Sequence, residues 1–237
     1  MRYVRPIFKY LEDGTVGDAI GSALLAYYRG YRMRISAAHV MRECGERYAM
    51  PSPTRVGTML NQTSEYRTGE RSFEDADISV RIFTDDEANN LTHTDYLEIE
   101  KFVGPREIDE HEAYHLVVGY PTNLQEYPSR LVYIEEVFED ARRGLPMFKS
   151  AEKEKLKEFV AVHYPYQSIR QAGEKHLGRD LGGCSGGVIL TGKNGDSSPL
   201  FAGIILEQHP YTKADEMLIG IGSPSVLRVV DSAIQTL

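Results

Sequence analysis

The chain of 237 residues has no tryptophan and only two cysteines, Cys44 and Cys184. Two thiols make no disulfide framework, which excludes the small secreted scaffolds held by several bridges and fits a reducing compartment. Basic residues are outnumbered, 27 against 35 acidic, leaving a formal charge of −8. That balance excludes an unspecific nucleic-acid binder, which needs a positive field. No apolar run approaches the ~20 residues that span a bilayer. The start, Met1-Arg2-Tyr3-Val4-Arg5-Pro6, lacks the apolar core of a secretion signal. A cytoplasmic protein with no nucleic-acid and no membrane partner is expected. Internal repeats and low-complexity tracts are missing too.

What is present is the composition of a globular protein able to bury a core: 41% hydrophobic, 26% charged and 10% aromatic. The length fits one large or two small domains. Gly21–Tyr28 reads as a strand, Arg29-Gly30 as a turn and Tyr31–Ser36 as the returning strand, which delivers Ala37-Ala38-His39-Val40. Residues 41–71 are loose, punctuated by Pro51, Pro53, Gly57 and Gly69. Ile78, Val80 and Ile82 alternate with Ser79, Arg81 and Phe83 as in a half-buried strand, with Asp77 at its mouth and Asp75 close by. Residues 85–112 are acidic and poorly patterned, and part of them is expected to cross between two halves. Strands are then expected at 114–121, 130–138, 199–206 and 217–221, a short helix over 150–162 and a closing helix from Ser223-Pro224. Many short strands with glycine turns and one late helix predict β-barrels with a terminal helix.

The chain is arranged around Gly182-Gly183-Cys184-Ser185-Gly186-Gly187. Four glycines about one serine describe a backbone that turns tightly and approaches something closely. A serine hydroxyl is a weak nucleophile until a neighbouring base takes its proton. The candidates for base and orienting acid are His39, beside small residues that leave its ring approachable, and Asp77, with Asp75 as its nearby competitor. Each has an ordinary alternative, a half-buried histidine at a strand end and a turn aspartate.

Ser36-Ala37-Ala38-His39-Val40, Asp77-Ile78-Ser79-Val80 and Gly183-Cys184-Ser185-Gly186-Gly187, in that order, resemble the three signature segments of chymotrypsin-like (trypsin-fold) serine peptidases. Gly119-Tyr120-Pro121 is similar to a segment common in bacterial members of that family. The resemblance implies an all-β fold of two antiparallel six-stranded β-barrels with the site between them and a C-terminal helix. It divides the chain into an N-terminal barrel at 1–95 carrying His39 and Asp77, an acidic connection at 96–112, and a C-terminal barrel at 113–237 carrying Ser185. It implies a Ser185–His39–Asp77 triad, an oxyanion site formed by the N–H groups of Gly183 and Ser185, a protein or peptide substrate and no cofactor.

The chain also departs from the family pattern. Cys184 stands where many animal members carry the aspartate that pairs with a newly cut N-terminus, so no such activation cut is implied. Viral relatives use cysteine as nucleophile, but directly before the two glycines, where this chain has Ser185; Cys184 is expected to be a packed small residue. Val188 follows Gly187 where proline is frequent. Substrate contacts are implied for Leu206, Glu207 and Gln208 on a peptide-pairing edge strand, and for Arg179 at the pocket floor, where a cation favours acidic side chains. Arg179 facing solvent or pairing with Asp180 is the alternative. His111 and His115 lack a third histidine or cysteine nearby, so no metal site is expected, and His163, His176 and His209 are scattered. Besides the peptidase, two readings stay open: a catalytically silent module that binds extended peptides or partner proteins, and a site latent until an activating partner orders the loop 173–187.

Overall fold

A computed structural model describes residues 3–45, 48–52, 55–59, 70–73, 76–90, 96–101, 113–122, 134–138, 159–164, 170–171, 174–175, 182–193, 199–210 and 216–237. The first half contains β1 (Val4–Tyr10), β2 (Val16–Tyr28), β3 (Tyr31–Ala37), α1 (Ala38–Cys44), β4 (Tyr48–Ala49), β5 (Pro51–Ser52), β6 (Arg55–Met59), β7 (Glu70–Phe73), β8 (Ile78–Ile82), α2 (Asp85–Asn90) and β9 (Leu97–Glu98). The second contains β10 (Ala113–Gly119), β11 (Ile134–Phe138), β12 (Phe159–Tyr164), β13 (Arg170–Gln171), β14 (Glu174–Lys175), β15 (Val188–Lys193), β16 (Leu200–Pro210), β17 (Glu216–Gly222) and α3 (Ser223–Ile234).

Two sheets carry the structure. One runs β4-β1-β2-β3-β8-β7, with β9 added beside β2; the other runs β11-β10-β15-β16-β17-β12. All pairings are antiparallel except the short parallel one between β2 and β9. The first sheet therefore has seven strands and the second six, and no pairing between the outermost strands of either occurs among the described residues. Leu97–Glu98, inside the acidic connection expected at 96–112, pairs with β2.

Local chemistry explains several elements. Arg29 (φ 48°) and Gly30 (φ 86°) both lie in the left-handed region, the geometry of a two-residue turn matched to strand twist. Arg29 tolerates it because its N–H donates to the Glu100 carboxylate at 2.8 Å and its guanidinium reaches Asp231 of α3, also at 2.8 Å. The central strands β2 and β3 bury Leu24, Leu25, Ala26, Met33 and Ile35 completely. Helix α3 begins with Pro224 in its first turn and buries Val226, Leu227, Val229, Val230 and Ala233. It packs against β8 of the first sheet and against β16 and β17 of the second, so one apolar cluster runs through both.

Some expectations change. The helix expected over 150–162 is overturned at its end: residues 159–164 are strand β12, hydrogen-bonded along its length to β17, while residues 150–158 lie outside the described set. His39 stands on α1 rather than at a strand end. Strand β1 was not expected; Val4 to Phe8 are all buried, without the alternation that marks a half-exposed strand. No helix among the described residues is long and apolar enough to cross a membrane.

Candidate active site

The site is built where β2, α1 and the serine loop converge. Gly21 on β2 marks the place: a Cβ there would lie 2.6 Å from Val40 Cγ1 on α1 and 3.1 Å from the carbonyl oxygen of Ser185. Only a residue without a side chain lets the helix bearing His39 and the loop bearing Ser185 share one stretch of backbone. The next residue, Ser22, ties the parts together. Its N–H donates to the Ser185 carbonyl at 2.8 Å, and its carbonyl accepts from the Ser36 hydroxyl at 2.7 Å. Its own hydroxyl accepts from the Tyr120 N–H at 2.9 Å and lies 3.4 Å from the Gly183 carbonyl.

His39 and Asp77 form a doubly anchored pair. Asp77 Oδ2 accepts from His39 Nδ1 at 2.6 Å, and Oδ1 accepts from the His39 backbone N–H at 2.9 Å. The Asp77 carbonyl also accepts from the Ala38 N–H at 2.8 Å. This grip requires Asp77 to adopt φ 49°, a left-handed conformation aspartate tolerates better than most residues. An ionised carboxylate only accepts, so the bond places the proton on Nδ1 and leaves Nε2 as the acceptor of a neutral ring. The bond to Asp77 raises the His39 pKa above its ordinary 6.5, with partial burial pulling the other way. For Asp77, burial is the largest influence and opposes ionisation. The His39 ring, its backbone N–H and its charge together outweigh burial and hold the carboxyl below 3.8. Asp75, the neighbouring candidate, lies outside the described residues.

Ser185 is half-buried between Gly183 and Gly186, both left-handed at φ 87° and φ 85°. Its hydroxyl donates to the Leu206 carbonyl at 2.6 Å rather than to His39. The N–H groups of Gly183 and Ser185 have no hydrogen-bond partner among the described residues. They are the two donors expected to face an oxyanion. Cys184 is fully buried, its side chain pressed against Gly119, where an added Cβ would come within 2.9 Å of it.

Leu206 stands at a register break: Ile205 pairs with Gly220 and Glu207 with Ile219. The bulge turns the Leu206 carbonyl away from β17 toward Ser185. Glu207 and Gln208 follow on β16, and the pairing of β16 with β15 ends at Ile204. Among the described residues, no strand therefore pairs with the other edge of 206–210. Arg179, expected at a pocket floor, lies outside the described residues, as do His111 and His176. His115 is buried on β10 and bonded to Thr191, while His163 and His209 lie on β12 and β16. No group of three or more His, Cys, Asp or Glu side chains among the described residues is placed to hold a metal. Two polar residues at the site went unnoticed in the sequence: Ser22 and Thr122. Their contacts with Gly183 and Gly182 cross 161 and 60 residues, so no local spacing signals them.

No protein-family model matches the sequence, and no curated protein matches it either. The fold does have solved counterparts. A catalytically inactive tobacco etch virus protease complexed with substrate is similar over 93% of this chain and 78% of its own, with TM-score 0.50 and 12% identity. The MamO protease domain from Magnetospirillum magneticum, in its apo form, is similar over 96% of this chain and 95% of its own, with TM-score 0.51 and 7% identity. At such identities the likeness speaks for architecture alone. Two largely antiparallel sheets, a glycine loop and a terminal helix give this chain the chymotrypsin-like fold.

Proposed function

We propose that the protein is a serine endopeptidase in which Ser185 is the nucleophile, His39 the base and Asp77 the orienting acid. The observation that carries this reading is the His39–Asp77 pair, anchored at 2.6 Å and 2.9 Å beside a serine loop with two N–H groups that have no partner among the described residues. In the reaction, the Ser185 hydroxyl turns from the Leu206 carbonyl to His39 Nε2. Catalytic hydrogen bonds commonly form only in the substrate complex. The oxygen attacks a peptide carbonyl as His39 takes its proton, and Asp77 stabilises the resulting imidazolium. The N–H groups of Gly183 and Ser185 receive the oxyanion; one such donor typically lowers the barrier by ~3 kcal/mol. His39 then gives its proton to the leaving amine, and water, activated by the same ring, releases the acyl group from Ser185. An extended peptide would be held by main-chain hydrogen bonds along the free edge of 206–210, and Arg179 would favour an acidic side chain.

A fluorophosphonate probe tests the nucleophile. Covalent labelling of the wild type and none of Ser185→Ala is the expected result. One observation favours a second reading, a silent peptide-binding module: the Ser185 hydroxyl is bonded to Leu206 and not to His39. That reading is supported if the wild type resists the probe while Ser185→Ala binds extended peptides as tightly as the wild type. Labelling that begins only when a partner protein is added would mark a latent site.

A further inference from the structure

The free N–H of Gly183 is aimed from outside the serine loop. The carbonyl of Gly182 accepts two hydrogen bonds from Thr122, one from its main-chain N–H at 2.9 Å and one from its hydroxyl at 3.2 Å. A trans peptide points its carbonyl and the following N–H in opposite directions. Holding the Gly182 oxygen on Thr122 therefore turns the Gly183 N–H away from Thr122. Rotating this peptide would forfeit both bonds and put a carbonyl where a donor is needed, replacing attraction for an oxyanion with repulsion. The threonine side chain also closes the space above Gly183: a Cβ there would lie 2.0 Å from Thr122 Cγ2.

We propose that Thr122 is a positioning residue for the oxyanion site, its hydroxyl holding the Gly182–Gly183 peptide in the orientation that presents the Gly183 N–H. The proposal rests on the peptidase reading for its catalytic meaning, but its structural content stands apart from activity. Thr122→Val keeps the branched bulk and the backbone N–H and removes only the hydroxyl; Thr122→Ser restores the hydroxyl.

Two measurements decide. In relaxation dispersion of the backbone amides, Thr122→Val is expected to show microsecond-to-millisecond exchange at Gly183 that the wild type and Thr122→Ser lack. Flat profiles in all three proteins overturn the proposal whether or not the protein is an enzyme. With an active wild type, Thr122→Val is expected to lose about fivefold in kcat, the rate equivalent of one ordinary hydrogen bond, with KM unchanged. A peptide aldehyde, which forms a tetrahedral oxyanion on serine, should bind more weakly by the same factor, and Thr122→Ser should restore both. Unchanged kcat and aldehyde affinity in Thr122→Val overturn the proposal. A wild type that neither labels nor hydrolyses sinks the peptidase reading instead, and the dispersion result still decides the role of Thr122.

Discussion

A hydroxyl becomes a nucleophile only while its base is unprotonated, so the charge on His39 decides when the proposed chemistry runs. Because its pKa is raised by Asp77, the rate of probe labelling should climb with pH through a midpoint above 6.5. Asp77→Asn should move that midpoint down and slow acylation by about a thousandfold or more, since the ring loses the partner that fixes its tautomer. A labelling rate independent of pH between 5 and 9 would remove His39 from the mechanism. The same shifts act on stability with opposite signs. His39, raised, adds stability that is complete below 6.5 and lost as pH rises through its folded value; Asp77, lowered, adds stability above 3.8 that is lost as pH falls through its folded value. Urea midpoints measured from pH 4 to 9 should therefore fall above pH 6.5 in the wild type and stay flatter there in His39→Ala.

At the level of elements, the arrangement depends on how closely β2, α1 and the serine loop approach. Gly21→Ala drives a methyl to 2.6 Å from Val40 Cγ1, so helix and loop must separate. The expected cost is about 1–3 kcal/mol in the denaturant midpoint, with a fall in labelling beyond what lost folded protein explains. A buried cation supports α1 from below: Arg34, fully enclosed, reaches Met41 Sδ at 2.9 Å, the Tyr48 hydroxyl at 3.0 Å and Ser79 Oγ at 3.0 Å. Arg34→Ala removes all three contacts and leaves a cavity, for an expected loss of about 3 kcal/mol or more in urea unfolding.

These elements were not equally legible in the sequence. Strand β8 was plain because Ile78, Val80 and Ile82 alternate with polar residues, although it is not half-exposed as expected, since Ser79 and Arg81 are buried too. The Arg29-Gly30 turn was plain because Gly30 accepts the left-handed φ its place in the turn needs. Helix α1 was not. At seven residues it is too short for a 3.6-residue period to show, and Ala37 supplies no side-chain cap. Residues 159–162 misled because Phe159 and Val160 continued a helical spacing from Leu156, which lies outside the described residues. In the strand, Val160 is half-buried and Val162 fully buried, in a register that rests on pairing with β17, 60 residues away at Val160↔Gly220. The proximity of His39 and Asp77 was readable only through resemblance; Thr122 and Ser22, defined by contacts across the sheets, had no signature at all.

At the scale of the whole molecule, α3 reinforces the direct contacts between the two sheets by packing against both. Its apolar face contributes Val226 and Val230 to a cluster that also holds Leu24 and Ile35 of the first sheet and Leu190 and Ile204 of the second. Calorimetry should accordingly record one unfolding transition with equal calorimetric and van't Hoff enthalpies; two resolved transitions would refute a shared core. Val226→Ala, at a fully buried position, should lower stability by about 2 kcal/mol and displace that single transition as a whole.

The position of α3 in the chain has a consequence for synthesis. It follows every described strand, so β8, made early, meets its covering helix only after the second sheet has left the ribosome. Until then the nascent chain holds His39 and Asp77 beside a sheet with one apolar flank uncovered by α3, and the serine loop without its finished surroundings. On the peptidase reading, a protein built in this order gains its proposed cutting power only once the second sheet and α3 are in place, which spares the unfinished chain and its neighbours during translation.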